Sequence, residues 1–500
     1  MTSARAKFDA TLLAQLGVPI MRLVTDSREV APGDTFVAYP GLAADGRHFI
    51  AQAIARGTNA VLWETDRFAW DAAWRVPNLG VRDLRHHAGA IADLVYGSPS
   101  QSLWMVGVTG TNGKTSCSHW IAQSFGALGR KTALIGTLGN GFPGALQATL
   151  NTTPDAIRVH GLLADYVRQG AQSVAMEVSS HALAQGRVNA VKYDVALLTN
   201  LTRDHLDYHG DMASYAAAKR RLFDWAHLKY AVLNLDDDFG IDLAVQLQDR
   251  GVEIIGYGLG APALKFAEAQ GLRMVHASAL DIRQTGLGLT LHTSWGAAAL
   301  HSRLVGRFNA SNLLGVLAVL LVSGVALPDA VRVLAAAEAA PGRMQSLGGG
   351  GRPAVVVDYA HTPDALAKVL QSLRDAVGSG GRLVCVFGCG GDRDRGKRPM
   401  MGQVAARLAD ACIVTSDNPR SEDPDEIISA IVSGMEGGRY RIVADRAAAI
   451  ELAIREAADT DTVLLAGKGH EAYQEIRGEK LPFSDIELAQ RALAAWRAHA

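Results

Sequence analysis

Residues 110–116 read Gly-Thr-Asn-Gly-Lys-Thr-Ser and follow the apolar run WMVGVT, Trp104 to Thr109. A glycine turn that leaves a strand and opens a helix at Lys114-Thr115 is a cradle for phosphate. N–H groups at the helix start point at an anion, Lys114 adds a point charge, and the Thr115 hydroxyl can reach Mg2+. The pattern is a shortened one: Val108 stands where GxxxxGK[ST] has its first glycine, and Gly110 supplies GxxGKT instead. Glu177 ends the apolar run in SVAMEVSSHAL, and His205 sits in LLTNLTRDHLDYHG, just past a further strand. A carboxylate and an imidazole at strand ends beside a nucleotide loop are suited to Mg2+. Ser180-His181 has the composition of a nucleophile and its base. Adjacent residues rarely face one another, however, and no elbow motif surrounds them, so that reading is set aside.

These residues need strands and turns to hold them. The stretch YGSPSQ (Tyr96 to Gln101) punctuates the chain before the phosphate loop, and PGRMQ at Pro341 follows the Ala-rich helical run VRVLAAAEAA. Three domains are therefore expected, 1–101, 102–340 and 341–500. In the last block the β-branched runs AVVVDYAH, RLVCVFGCGGD, ACIVTSDNP, YRIVADR and DTVLLAGKGHE alternate with the helical patterns DALAKVLQSLRDAV and AAIELAIREAA. Such alternation predicts a doubly wound, largely parallel α/β sheet, with ligands beyond the carboxyl ends of its strands. The polar tails Asp358-Tyr359, Gly390-Asp392-Arg393, Asp417-Asn418-Pro419-Arg420 and Gly467 to Glu471 fall there.

Composition narrows the class. The 500 residues exceed one core, and a net charge of −1 supplies no field for nucleic acid. Cys117, Cys385, Cys389 and Cys412 form no paired zinc motif and read as reduced thiols, which favours the cytoplasm. No run approaches the roughly 20 apolar residues of a membrane span, and the N-terminus lacks an apolar signal core.

GTNGKTS, NTTPD, MEVSSHAL, TNLTRDHLDYHGDMASYAAAK, FNASN, PGRMQ, DYAHTPDAL, GGDRDRGKRP, SDNPRSEDP and GKGHE occur in that order over nearly the whole chain. The set resembles the Mur ligases of peptidoglycan synthesis, and within them the type that adds the third residue of the stem peptide. TDSREVAPGDTFVAYPGLAADGRHFI is similar to that type's uridine-nucleotide-binding module. The resemblance implies three α/β domains: a uridine-nucleotide-binding module, a P-loop ATPase-like domain with a mostly parallel sheet, and a Rossmann-like domain. It also implies that ATP phosphorylates a D-Glu carboxylate and that an incoming amine attacks the acyl phosphate.

By the same resemblance, Gly110, Thr111, Asn112, Gly113, Lys114, Thr115, Ser116, Asn312, Arg343 and Asp358 bind ATP. Thr115, Glu177 and His205 serve Mg2+, joined by Lys219 as a carbamylated lysine; a lysine closing the helical stretch MASYAAAK would otherwise read as solvated. Lys114, Glu177, His205 and Lys219 are the catalytic set. UDP-N-acetylmuramoyl-L-alanyl-D-glutamate is assigned to Thr25, Ser27, the Leu42-Ala43-Ala44 segment, Asn151, Thr152, Thr153, Ser179, Gln185 and Arg187. Asp26 and Arg28 read equally as structural. Arg343 and Asp358 reach over from the third domain, which implies domain closure before chemistry.

The amino acid added is read from Asp417, Asn418, Pro419 and Arg420. meso-2,6-Diaminopimelate is lysine with a carboxylate on its far end, which a guanidinium can hold bidentately while repelling lysine's ammonium. Arg393, Gly467 and Glu471 complete that pocket by resemblance, and the protein is expected to act as a monomer. L-Lysine as substrate, a folylpolyglutamate synthase-like ligase, and a P-loop switch or motor are the alternatives. The last leaves NTTPD, DNPR and GKGHE without a role.

Overall fold

The computed structural model describes residues 8–41, 44–149, 151–377 and 380–497. The chain resolves into two compact units, 1–255 and 256–500.

In the first unit, β1 (Leu23–Val24), β2 (Thr35–Ala38), β3 (Ala60–Glu64) and β4 (Asn78–Val81) form a parallel sheet in chain order. Val37 and Leu62 pack with Leu84, Ala88 and Ile91, whereas Phe36 and Val61 pack with Ile50 and Ala53 on the other face. Period-two burial on both faces is what helices on each side of a parallel sheet require.

Seven further strands follow: β5 (Trp104–Thr109), β6 (Thr132–Gly136), β7 (Gly139–Phe142), β8 (Ala145–Gln147), β9 (Ser173–Glu177), β10 (Val195–Leu198) and β11 (Tyr230–Asn234). Their order is β11-β10-β5-β9-β6-β7-β8, parallel from β11 to β6 and antiparallel at β7 and β8. The strand that feeds the glycine loop therefore lies between β9 and β10, where the chain order reverses. Register makes the carboxyl ends coincide: Thr109 pairs with Leu198, and Val108 with Glu177. β12 (Glu253–Gly258) carries the chain across the join between units.

The second unit begins with the antiparallel meander β13 (Arg273–Arg283), β14 (Gly286–Thr293) and β15 (Gly296–Ser302). Helix Arg307–Val322 is buried on nearly every side, since NLLGVLAVLLV offers no polar face. No helix among the described residues is long and apolar enough to cross a membrane. The Ala-rich run before Pro341 is helical only in part. Helix Leu327–Ala335 stops inside it, and residues 337–340 form neither helix nor strand. Alanine favours helix, but Pro341 disfavours helical backbone in the residue before it, and Ala337 and Ala340 are buried without being helical.

Next come β16 (Gln345–Gly348), β17 (Ala354–Asp358), β18 (Leu383–Phe387), β19 (Ala411–Val414), β20 (Tyr440–Ile442) and β21 (Thr462–Ala466). They form one sheet in the order β16-β17-β21-β18-β19-β20, parallel except for β16. Val355, Val357, Val384, Val386, Ile413, Val463 and Leu465 face one core. Val356, Cys385, Phe387, Cys412, Val414 and Leu464 face the other. This is the doubly wound sheet expected from the β-branched runs. The hairpin β22 (Tyr473–Ile476) and β23 (Glu479–Pro482) follows β21. All four cysteines are free and buried.

One ion pair lies wholly inside this unit. Arg446 donates from Nε (2.8 Å) and Nη2 (2.6 Å) to the Asp485 carboxylate, and from Nη2 to the Ala466 carbonyl at 3.0 Å, with both side chains 0 % exposed. The pair ties the end of β21 to helices Arg446–Arg455 and Asp485–Ala495. Asp485→Ala leaves a buried guanidinium without its counter-charge. We expect a loss of about 3–5 kcal/mol in the unfolding of this unit, read by denaturant titration. An Arg446→Met, Asp485→Leu double variant should recover most of it.

Candidate active site

In the first unit, residues 110–113 turn the chain from β5 into helix Lys114–Ala127, with Gly113 as N-cap at φ +86°. Gly110 has φ +146°, and a Cβ there would stand 1.9 Å from Thr199 Oγ1. Only glycine fits, on backbone conformation and on space. The tail of β10 clamps the loop: Thr199 Oγ1 donates to Asn112 O at 2.6 Å and Thr111 N to Asn200 O at 2.8 Å. Lys114 Nζ folds over the loop, donating to Gly110 O (2.9 Å) and Thr111 O (2.8 Å). The result is a preformed anion site: a helix start whose first N–H groups have no intrahelical acceptor, with an ammonium beside it.

Glu177 ends β9 and is 1 % exposed. Its carboxylate accepts from Thr115 Oγ1 (2.9 Å), Thr137 N (2.8 Å) and Thr137 Oγ1 (3.1 Å). A Cβ on Gly136 would come within 2.3 Å of Glu177 Oε1, so this glycine leaves the carboxylate its room. Among the described residues no three His, Cys, Asp or Glu side chains converge as a metal cage. Mg2+ beside phosphates does not need one; it is usually held by one or two carboxylates plus phosphate oxygens and water. A buried carboxylate in contact with the loop threonine's hydroxyl fits that mode.

Lys219 corrects the solvated reading of a helix-end lysine. It is 1 % exposed, and Nζ donates to Gly110 O at 2.7 Å, 4.5 Å from the Tyr215 ring centroid. Burial first, then the nearby Lys114 charge, pulls its pKa well below the usual lysine range. His205 starts helix Leu206–His209 in the left-handed region at φ +53°, with Nε2 3.4 Å from Asp204 Oδ2. Its ring lies 4.8 Å from that of His181. Burial, reinforced by His205 and His209, takes the His181 pKa down to about 4. Ser180 does not face His181; its Oγ lies 3.0 Å from His209 Nε2.

The residues assigned to the nucleotide substrate are woven into the same strand ends. Thr152 Oγ1 lies 3.1 Å from Thr137 Oγ1, and Thr153 Oγ1 donates to Glu177 O at 2.8 Å. Ser179 N donates to Thr153 Oγ1 at 3.2 Å, and Arg187 Nη1 to Thr153 O at 2.8 Å. Asn151, Gln185 and Arg187 line a cavity of about 230 Å3 together with Tyr39, Arg85 and Asp155. Sequence reasoning assigned no role to those last three or to Thr137: Asp155 was quoted only as the end of NTTPD, and a lone tyrosine, arginine or threonine carries no spacing signal. Ser27 is buried and donates to Gln52 Oε1 at 2.8 Å. Thr25 and Ser27 are not among the residues lining that cavity. Asp26 caps the short helix Ser27–Glu29 by accepting from Arg28 N, which gives both a structural role. Leu42 and Ala43 lie outside the described residues; Ala44 accepts from Gly41 N at 2.8 Å.

In the second unit, Asp358 ends β17 and accepts from Met344 N and Ala360 N, both at 2.8 Å. Burial raises its pKa, against the opposing pull of Arg343. The Arg343 guanidinium lies 4.7 Å from the Tyr359 ring centroid, so PGRMQ and DYAH meet. Asn312 is buried in helix Arg307–Val322, its Nδ2 3.5 Å from Asn309 Oδ1.

The DNPR segment leaves β19. Asn418 is buried, donating from Nδ2 to Glu471 Oε2 at 2.8 Å and accepting from Lys468 Nζ at 3.0 Å. Lys468 is fully buried and also donates to Glu471 Oε2 at 3.1 Å. Within GKGHE it carried no individual signal. Gly467 sits at φ +115°, where a Cβ would meet Asp417 Oδ2 at 2.5 Å. Pro419 O packs against Gly391, where a Cβ would lie 1.9 Å away. Arg420, at φ +53°, donates from Nη1 to Gly391 O at 2.8 Å and from Nε to Glu475 Oε2 at 3.1 Å. Arg393 is exposed on the neighbouring loop. The structure thus gathers 417–420, 467 and 471 at one sheet end.

A phosphate loop between parallel strands, followed by a Rossmann-like domain with this polar edge, defines an ATP-dependent amide-bond ligase, and the chain belongs to the Mur ligase family. Residues 19–96 match "Mur ligase family, catalytic domain", residues 108–320 "Mur ligase middle domain" and residues 342–469 "Mur ligase, glutamate ligase domain". The chain is 54% identical to the UDP-N-acetylmuramoyl-L-alanyl-D-glutamate--2,6-diaminopimelate ligase of Chromobacterium violaceum, over 99% of this chain and 98% of that one. It is 51% identical to the protein of that name from Nitrosomonas europaea, over 97% and 95%. A solved structure of a ligase with that name superposes with a TM-score of 0.69 at 38% identity, covering 95% of each chain.

The Lys219 environment has a pH signature. In protein freed of metal and bicarbonate, the buried native amine has a pKa well below that of the unfolded chain, about 10.4. Between those two values the native state binds fewer protons, so its stability rises with pH through that window. Relative to wild type, Lys219→Met should be more thermostable near pH 7, with the gap closing toward pH 10. A gap that does not change with pH would refute a lowered pKa for the buried amine.

Proposed function

We propose that this chain joins meso-2,6-diaminopimelate to the D-Glu carboxyl of UDP-N-acetylmuramoyl-L-alanyl-D-glutamate, with conversion of ATP to ADP and phosphate, in cytoplasmic peptidoglycan precursor synthesis. It acts as a monomer of three domains, 1–101, 102–340 and 341–500. The observation that carries the reading is the held DNPR segment, with Arg420 beside the Asn418–Glu471–Lys468 cluster. The names of the full-length relatives support it.

In this scheme a D-Glu carboxylate oxygen attacks the γ-phosphorus and ADP leaves. The amine of diaminopimelate, having lost its proton, attacks the acyl carbon, and phosphate departs from the tetrahedral intermediate. Lys114 and the N–H groups of residues 110–116 hold the β- and γ-phosphates, with Asn312, Arg343 and Asp358 completing the ATP site. The protein's work is mostly positioning and neutralisation of charge. Thr115, Glu177, His205 and carbamylated Lys219 would hold Mg2+, which when bound offsets phosphate charge. The burial of Lys219 and its lowered pKa support the carbamate, because only a free amine adds to carbon dioxide and a lowered pKa favours that form. Asn151, Thr152, Thr153, Ser179, Gln185 and Arg187, with Thr25, Ser27 and Ala44, bind the nucleotide peptide. Arg393, Asp417, Asn418, Pro419, Arg420, Gly467 and Glu471 bind diaminopimelate, Glu471 taking its ammonium. Closure over the acyl phosphate excludes water. The match of residues 19–96 to a Mur ligase module argues against a folylpolyglutamate synthase-like ligase.

Phosphate release from ATP, assayed with the muramoyl dipeptide and a panel of amino acids, tests the reading. Diaminopimelate should be preferred, and preference for L-lysine would overturn it. Arg420→Ala removes charge-assisted bonds worth about 1.5–3 kcal/mol, so kcat/KM for diaminopimelate should fall at least about tenfold. Use of L-lysine should not fall in parallel, and Arg420→Lys should rescue poorly.

A further inference from the structure

The hairpin of β22 and β23 wraps the DNPR segment from outside the parallel sheet, and neither the family motifs nor the sequence pattern gave it a role. Its first strand makes a row of bonds to that segment. Gln474 Nε2 donates to Asp417 O at 2.6 Å and Glu475 N to Asn418 Oδ1 at 2.9 Å. Arg420 N donates to Glu475 O at 3.0 Å, and Arg477 N to Arg420 O at 2.7 Å. Arg420 thus has both backbone groups engaged by the hairpin, which holds a non-glycine residue at φ +53° that it would otherwise leave. The Glu475 side chain then takes the Arg420 Nε hydrogen at 3.1 Å, while Gly391 O takes one from Nη1 at 2.8 Å.

A guanidinium carries five N–H donors in a fixed plane. Binding Nε on one side and one Nη1 hydrogen on another fixes both the direction of the side chain and the rotation of that plane. The donors left over are one on Nη1 and two on Nη2, enough to give a carboxylate two bonds. We propose that Glu475 is the positioning residue for Arg420, turning a long flexible cation into an oriented receptor for the distal carboxylate of the amino acid substrate. This rests on the reading of Arg420 given above. Glu475 acts through Arg420 and touches no reacting atom.

Charge and geometry make opposite demands, which renders the idea decidable. If Glu475 merely tempered the Arg420 charge, its removal would strengthen binding of an anionic group. If it positions the guanidinium, removal weakens that binding, while Glu475→Gln, which keeps an acceptor for Nε and loses the charge, preserves it. Steady-state kinetics should be run on wild type, Glu475→Ala, Glu475→Gln, Arg420→Ala and the Arg420→Ala, Glu475→Ala double variant, with thermal midpoints recorded for each. We expect Glu475→Ala to raise KM for diaminopimelate about tenfold, with KM for ATP and for the nucleotide peptide unchanged and discrimination against L-lysine reduced. Glu475→Gln should stay within about threefold of wild type, and Glu475→Ala should add nothing once Arg420 is gone. Positioning is overturned alone if Arg420→Ala is selective for diaminopimelate while Glu475→Ala is silent, tightens binding, or costs as much without Arg420. If Arg420→Ala itself spares diaminopimelate, the reading of Arg420 fails and the proposal falls with it.

Discussion

The first unit is organised around one carbonyl oxygen. Gly110 O accepts from Lys114 Nζ and from Lys219 Nζ, so two lysine side chains meet at a single neutral acceptor. Two ammonium ions share it only at an electrostatic cost, and burial together with the Lys114 charge lowers the Lys219 pKa. Everything around that oxygen is shaped to keep it in place. Gly110 has no side chain because Thr199 occupies the space, Thr199 also holds Asn112, and the parallel register of β5, β9 and β10 brings Glu177 alongside. These bonds hold the loop from within the fold, so binding phosphate need not order it.

The second unit solves a different problem with similar means. Its strand ends present a lysine, a glutamate and an asparagine in mutual contact: Lys468, Glu471 and Asn418. A buried lysine beside a carboxylate is tolerable because its charge is matched and its hydrogens find acceptors. Arg446 and Asp485 repeat the arrangement beneath, holding the Ala466 carbonyl at the point where the glycine-lysine turn begins. The polar edge rests on a second polar layer inside an otherwise apolar sandwich.

Much of this was legible in the sequence. The glycine loop, the β-branched runs of the doubly wound sheet and the DNPR segment announce themselves because each is local: a few adjacent residues carry the backbone and the chemistry together. Asp358 and Arg343 were legible as motifs, though not as neighbours through Tyr359. What stayed hidden depends on distant pairing. Lys219 was singled out only by the family resemblance, because nothing local shows that the fold buries it against a residue 109 positions earlier. Thr137 and Arg85 have no pattern of their own. The helical run before Pro341 misled because alanine content speaks only to propensity, a weak prior that the fold overrides: Ala337 and Ala340 are buried outside any helix.

Arg420 occupies backbone space that glycine and asparagine enter far more cheaply than arginine does. The fold therefore tilts mutational drift at this site: most replacements that lose the guanidinium remove a functional group, and the smallest would also relax the chain. In an evolving lineage, a guanidinium at this position would be lost readily and regained with difficulty, a ratchet set by one dihedral angle.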